Sequence, residues 1–294
     1  MTSILITGAT GSVGKLLVKA LGYSGHNVVI LKREKSKISH LMELPGVEFY
    51  DIEKDIDLNS IFEIHQNISC IIHLATLYYL KSVDLLDLHD SNTTFGLKLL
   101  KKAVAYKIST FINIDTTLFE NLNPYTISKK YFSKIGEFMA NHGQIRFINM
   151  PLHLMYGVSS DYSKFTTLVI KQCLNNVDEI KLTKGDQIRD FIHIEDVISC
   201  LKHVLCFVER LNTGYHDIQI GTGRHITLKE FITKIHFKTN SKTRLLFGSI
   251  PYRKNEPMKI NLTDSKMKDL GWTSKINLDV GINKAIDDVK INLA

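Results

Sequence analysis

Tyr125 and Lys129 stand four residues apart in Tyr125-Thr126-Ile127-Ser128-Lys129-Lys130, directly after Asn123-Pro124, a pair that marks a turn. At the start of a helix that spacing puts both side chains on one face. An ammonium beside a phenol stabilises phenolate, so Lys129 is expected to draw Tyr125 from the ordinary value of about 10 toward neutrality, where it can trade protons. Upstream, Asp115-Thr116-Thr117 stands at the end of the strand Phe111 to Ile114. Thr116 at the end of that strand is the natural second donor to a substrate carbonyl or hydroxyl, with Thr117 beside it. Each reading has a plainer alternative: a surface tyrosine and lysine, and a hydroxyl-rich loop capping a strand. The choice depends on the elements that position them.

The element that decides lies at Ile4 to Gly14. Ile4, Leu5 and Ile6 read as a strand buried on both faces. Gly8, Gly11 and Gly14 follow, and then apolar positions at helical spacing. Strand, glycine turn and helix form a seat for a dinucleotide pyrophosphate. Gly8 allows the tight turn, Gly11 admits the phosphates, Gly14 lets helix pack on strand, and Thr10, Ser12 and Val13 line the helix amino terminus. Downstream of such a turn, Lys129 can also hydrogen-bond a nicotinamide ribose. The second strand, His26 to Leu31, ends in Lys32-Arg33 with no acid. Arg33 suits the extra phosphate of NADPH, with Lys32 beside it, which favours NADPH over NAD; the alternative is two surface cations near Glu34. The third strand, Val47 to Tyr50, ends in Asp51-Ile52, where an acid can meet the adenine amino group or cap a helix. The fourth, Ser69 to His73, leads into Leu74, Ala75 and Thr76, small enough for close backbone approach. A long helix over Asp90–Tyr106 carries Asn92, and strands follow at Thr110–Ile114, Ile145–Met150 and His216–Ile220.

This alternation predicts an α/β, Rossmann-type doubly wound parallel sheet. It degrades after Pro151. The expectation is a dinucleotide-binding domain over 1–151 with returning segments near 188–220, and a smaller, interleaved C-terminal substrate-binding domain over 152–187 and 221–294. The 294 residues are 44% hydrophobic and 23% charged, enough for a sizeable core. The net charge of +7 comes without a long Lys/Arg block. It suits a phosphorylated small molecule and leads to no expectation of nucleic-acid binding. No apolar run approaches the ~20 residues of a membrane span. Cys70, Cys173, Cys200 and Cys206 are scattered without a CxxC pair, so reduced thiols in a cytoplasmic protein are expected, without a metal site.

The glycine turn TGATGSVG, His73-Leu74-Ala75-Thr76, Asn92, Thr116 and Tyr125-xxx-Lys129 together resemble the extended short-chain dehydrogenase/reductase family, the NAD-dependent epimerases and dehydratases. Met155-Tyr156-Gly157 resembles the family's turn after its sixth strand, within Pro151 to Gly157, whose Pro151 and His153 the resemblance places near the cofactor. Arg189 to Val197 is similar to a nucleotide-sugar motif, RDFIHVDDV. Arg253-Lys254-Asn255-Glu256, followed by LTDSKMKDLGW, is similar to the family's C-terminal signatures. The resemblance implies that Arg189 and Arg253 hold a nucleotide-sugar diphosphate and that Glu256 meets the nucleoside ribose; surface ion pairing is the alternative for each. Thr76, Thr116 and Thr117 would face the sugar, and His153, Tyr156 and Lys164 could line its pocket or equally be packing or surface residues. Thr117-Leu118 stands where dehydratases carry an acid pair, so dehydration lacks its acid and base. The loop from Thr116 to Tyr125 is short for an epimerase. The chain is most similar to CDP-4-keto-3,6-dideoxyhexose 4-reductases of bacterial surface-polysaccharide synthesis. That implies NADPH-dependent reduction of a 4-keto sugar, with a 4-epimerase, a 4,6-dehydratase and a non-catalytic NADP sensor as alternatives. A homodimer is implied by resemblance alone.

Overall fold

The apolar run Ser3–Thr7 (β1) is buried at every position, and the glycine turn after it starts the helix Ser12–Gly22 (α1). The chain continues through Asn27–Lys32 (β2), Val47–Asp51 (β3), Asn59–Ile64 (α2), Ile68–His73 (β4) and Leu85–His89 (α3). A π-helical turn, Asp90–Thr94, joins α3 to Phe95–Ala105 (α4). Thr110–Thr116 (β5), Pro124–Asn141 (α5), Arg146–Leu152 (β6), Leu154–Tyr156 (β7), Phe165–Leu174 (α6), Glu179–Leu182 (β8), Ile188–His193 (β9) and Ile194–Phe207 (α7) follow. The last elements are Gly214–Asp217 (β10), His225–Thr227 (β11), Leu228–Lys238 (α8), Arg244–Phe247 (β12), Lys266–Asp269 (α9) and Leu278–Leu293 (α10). The computed structural model describes residues 3–52, 58–80, 82–157, 164–260 and 266–293. Leu262 to Ser265 of the C-terminal signature lie outside them.

The chain divides into two compact units. The first takes residues up to Thr116, Glu120–Pro151 and Leu201–Gln219. It holds a seven-stranded sheet in the order β3-β2-β1-β4-β5-β6-β10, flanked by helices, which is the doubly wound parallel arrangement expected. The order reverses between β1 and β4, and ligand crevices form beyond the carboxyl ends of strands at such a point. Leu74 N donates to Thr7 O (3.2 Å) and so joins the two strand ends there. One face packs Leu5, Val29 and Ile71 with Phe62, Phe111, Phe132 and Phe147.

The second unit takes Thr117–Phe119, Leu152–Cys200 and residues from Ile220 onward. In it β9 pairs in parallel with β7 and antiparallel with β11, and β8 pairs with β12. Phe191 stacks on Phe231 with centroids 3.9 Å apart, in a core with Tyr156, Ile170 and Ile282. The return to the first unit begins at Leu201 instead of residue 188, because β9 is an element of this smaller sheet. The late strand likewise comes earlier than the pattern suggests, over Gly214–Asp217. The acids of the Arg189–Val197 motif are internal ties: Asp190 accepts from Thr222 N and Gly223 N (both 2.8 Å), and Asp196 from Lys275 N and Ile276 N (both 3.0 Å).

Candidate active site

The start of α5 is fixed by its own sequence. Pro124 occupies the first turn, and Asn123 and Thr126 form a reciprocal capping box, Thr126 N donating to Asn123 Oδ1 (3.0 Å) and Asn123 N to Thr126 Oγ1 (3.2 Å). Tyr125 is therefore held in the first turn and Lys129 one turn on. The Tyr125 hydroxyl hydrogen-bonds with the side chains of Thr76 and Thr116. Its ring packs against Tyr78, with centroids 5.2 Å apart. Three of the residues singled out in the sequence thus meet at one hydroxyl.

Burial raises the Tyr125 phenol above its ordinary value, and Tyr78 and Asp115 push the same way; only the bonds to Thr76 and Thr116 oppose them. The expected drift toward neutrality is reversed here, since taking a phenolate out of water costs more than its surroundings return. Lys129 is fully enclosed, and burial depresses its ammonium to about 8, with Asp115 raising it and Lys130 lowering it. Near neutral pH this leaves a protonated phenol beside a lysine able to gain or lose a proton.

Asn92 lies in the π-helical turn with its side chain fully buried. Its Oδ1 accepts from Leu77 N (2.7 Å), and its Nδ2 donates to Leu77 O (2.8 Å) and Ser128 Oγ (3.1 Å). The single long helix expected over Asp90–Tyr106 is interrupted there because these tertiary bonds favour a wider turn. Asn92 ties the segment after β4 to α5. His73 Nδ1 lies 2.8 Å from Thr7 Oγ1, which accepts from Ala75 N (3.3 Å). Burial among Phe95, Phe111 and Phe132 lowers His73 to about 3, so it is neutral.

The glycine turn fits a dinucleotide. A Cβ on Gly8, which has φ +71°, would lie 2.6 Å from Ala75 N and Leu74 C; on Gly14 it would lie 2.3 Å from Gly8 O. Gly14 thus makes room for the turn itself. Gly11 caps α1 with no side-chain bond, leaving the first N–H groups of the helix, at Ser12, Val13 and Gly14, for an anion. Lys32 is paired with Asp51, so the exposed Arg33 is the cation at the end of β2 open to a phosphate. The pairing gives Asp51 a partner other than adenine; Ile52 N donates to Lys32 O (2.6 Å). Pro151 is buried on β6.

In the second unit, Glu256 bridges the two predicted diphosphate ligands. Its Oε1 lies 2.6 Å from Arg189 NH2 and its Oε2 2.8 Å from Arg253 Nε, the ion-paired alternative for both arginines. The Arg189 and Glu256 side chains are 8% and 6% exposed, so the pair is desolvated, whereas Arg253 is 64% exposed. Thr117 Oγ1 donates to Leu152 O (3.3 Å), and His153 N to Ile220 O (3.0 Å), with the His153 ring against Gly221. Among the described residues no cluster of three His, Cys, Asp or Glu could hold a metal ion, and no helix is long and apolar enough to cross a membrane.

A model of the NAD-dependent epimerase/dehydratase family matches residues 4–221, taking in the glycine turn, Thr116, Tyr125 and Lys129. The chain belongs to that family. It is therefore an enzyme of the oxidoreductase/epimerase type, of the extended short-chain dehydrogenase/reductase kind. This epimerase/dehydratase family member is 32% identical to a CDP-abequose synthase of Salmonella typhimurium, over 96% of this chain and 97% of that one. A CDP-abequose synthase of Salmonella muenchen is 31% identical, over 96% of each. Among solved structures, a Thermotoga maritima UDP-glucose 4-epimerase with UDP-glucose superposes with a TM-score of 0.84 at 22% identity, covering 100% of both chains. A Thermus thermophilus UDP-glucose 4-epimerase with NAD gives 0.82 at 19% identity, over 98% of this chain and 99% of that one. At those identities the likeness shows the Rossmann fold.

Sequence reasoning missed four side chains here. Asp115 accepts from Thr116 N, Lys130 donates to Thr116 O, Asn149 donates to Asp115, and Tyr78 packs on Tyr125. The available signal was polarity in the wrong place: Asn113, Asp115 and Asn149 interrupt strands that are otherwise apolar.

Proposed function

We propose that this chain reduces the 4-keto group of a nucleotide-linked, CDP-type 3,6-dideoxy- or 6-deoxyhexulose with NADPH, in the cytoplasm, toward sugars of bacterial surface polysaccharide. The observation that carries the reading is the Tyr125 hydroxyl, hydrogen-bonded with Thr76 and Thr116 and one helical turn from Lys129. A phenol so placed can give its proton to a carbonyl oxygen, as carbonyl reduction requires; an epimerase would use the same tyrosine and lysine. The full-length likeness to two CDP-abequose synthases supports the substrate class.

Gly8, Thr10, Gly11, Ser12, Val13 and Gly14 would hold the cofactor pyrophosphate, Arg33 its extra phosphate, and Leu74 to Thr76 with Lys129 its nicotinamide ribose side. When bound, the cofactor supplies hydride to the carbonyl carbon. Tyr125 donates its proton to the oxygen as negative charge develops there, and Thr116 gives that oxygen a second hydrogen bond. Lys129, poised near 8, returns a proton to the phenol. Arg189 and Arg253 take the diphosphate in exchange for Glu256, and Glu256, so released, turns to the nucleoside ribose. Binding the remote nucleotide then serves to place the sugar. The apolar side chains Ile127, Tyr131 and Phe138, all exposed on one face of α5, support a homodimer.

The test is a panel of 4-keto nucleotide sugars assayed for NADPH oxidation. Stoichiometric NADPH consumption with a CDP-linked member is the expected result. Retention of NAD through gel filtration, with interconversion of sugars and no net consumption, would replace the reductase with a 4-epimerase. The second reading has its own support, a putative UDP-glucose 4-epimerase of Methanocaldococcus jannaschii at 23% identity over 98% of this chain.

A further inference from the structure

We infer that Asp115, Lys130 and Asn149 form a clamp that positions Thr116, and through it Tyr125, for proton delivery. The inference rests on the roles given to Thr116 and Tyr125 above. Both backbone polar groups of Thr116 are held. Its N–H donates to Asp115 Oδ1 (2.7 Å), and its carbonyl accepts from Lys130 Nζ (2.5 Å). Lys130 Nζ also donates to Asp115 Oδ2 (2.8 Å), which closes the ring from the end of β5 to the first turns of α5. With both groups fixed, the freedom left to Thr116 is its side-chain torsion, and the hydroxyl meets the Tyr125 phenol.

The rest of the network keeps the carboxylate in place. Asn149 Nδ2 donates to Asp115 Oδ2 (3.2 Å) and to Asp217 Oδ1 (2.9 Å), and its Oδ1 accepts from Asn113 Nδ2 (2.8 Å). The Asp115 side chain is fully buried and that of Lys130 is 22% exposed. A charge so enclosed needs its partner, and losing either one leaves the other uncompensated beside the reacting groups.

That asymmetry gives a readout that a purely structural tie would not move. Within this unit Lys129 is faced by Asp115 from β5, Lys130 from its own helix and His73 from β4. Tyr125 is faced by Tyr78 and Thr76 after β4 and by Asp115, while Asp217 and Tyr215 on β10 lie behind Asn149. Removing Lys130 exposes Lys129 to a bare carboxylate and should raise its titration midpoint; removing the Asp115 charge exposes it to a bare ammonium and should lower it.

The experiment follows the full-length protein labelled with 13C at lysine Cε, with Lys129→Met assigning the resonance. The Lys129 midpoint, near 8 in the parent, is expected to rise by about one pH unit in Lys130→Met and to fall by about one unit in Asp115→Asn. Lys130→Arg keeps charge and donors and should stay near the parent value. NADPH-dependent turnover in Lys130→Met should fall by roughly 10–100-fold with KM for NADPH little changed, and Lys130→Arg should recover most of it. Midpoints that move in the same direction or not at all, or full turnover in Lys130→Met, overturn the clamp. Lys130→Gln replaces Lys130→Met where the latter does not fold. Opposite midpoint shifts in a protein that reduces no nucleotide sugar leave the clamp standing and remove the substrate reading instead.

Discussion

Tyr125 gathers at one oxygen what the sequence distributes over fifty residues, Thr76, Thr116 and the phenol itself. Removing that oxygen should be decisive for turnover and nearly silent for cofactor binding. Tyr125→Phe is expected to lower kcat by about 10³-fold or more, while NADPH affinity measured by fluorescence titration stays within about twofold. Parent-level turnover would take the acid role away from Tyr125. His73 makes a separate prediction about stability. Its folded value near 3 lies below the ordinary 6.5, so between those values the unfolded chain binds the extra proton and stability is lost as pH falls from 6.5 toward 3. The loss attributable to this residue is roughly 3–5 kcal/mol. Denaturant unfolding of His73→Gln should show a shallower fall across that window than the parent, and equal slopes would contradict the assignment. At this scale the sequence was informative where chemistry is local. The spacing of Tyr125 and Lys129 follows from helical period, and both sit on α5. The raised phenol was not legible, because burial depends on Thr76 and Tyr78 arriving from the segment after β4.

The glycine turn joins β1 to α1 with little room for side chains. Gly14→Ala would set a Cβ against the backbone of Gly8 and Ala9 at 2.3–2.7 Å, and backbone cannot swing aside. A cost of roughly 2–4 kcal/mol is expected, seen as a lower Tm together with at least about tenfold weaker NADPH binding. Gly11→Ala is the control. Its Cβ would meet Gly8 O at 3.3 Å, so thermal stability should fall far less. Equal melting points for the two variants would sink the crowding argument. Strand–helix alternation made the seven-stranded sheet legible, since parallel strands joined by crossover helices leave few other arrangements. Three features escaped it. The π-helical turn at Asn92 is imposed by Leu77 and Ser128, and β9 belongs to the smaller sheet because of its pairing with β7 and β11. The Asp115–Lys130 ring needs the end of β5 to meet the start of α5, a juxtaposition that no local pattern announces.

At the scale of the whole molecule, a net charge of +7 without a basic block is in keeping with the two phosphorylated ligands proposed for this chain. Ile127, Tyr131 and Phe138 are 49%, 51% and 61% exposed on one face of α5, around the exposed Lys134, and the proposed dimer would bury them. Sedimentation velocity should show a dimer for the parent and a monomer for Tyr131→Glu combined with Phe138→Glu; a parent that sediments as a monomer removes the dimer. The two units are interleaved along the chain, and that order has a consequence for synthesis. A ribosome releases β1 to β6 well before β10, because the segment Leu152–Cys200 of the second unit is made in between. Until Gly214–Asp217 emerges, β6 offers a bare edge to any passing strand, and Asn149 lacks the acceptor that Asp217 provides. Completion of the first unit's sheet therefore waits on a strand made only after Leu152–Cys200 of the second unit.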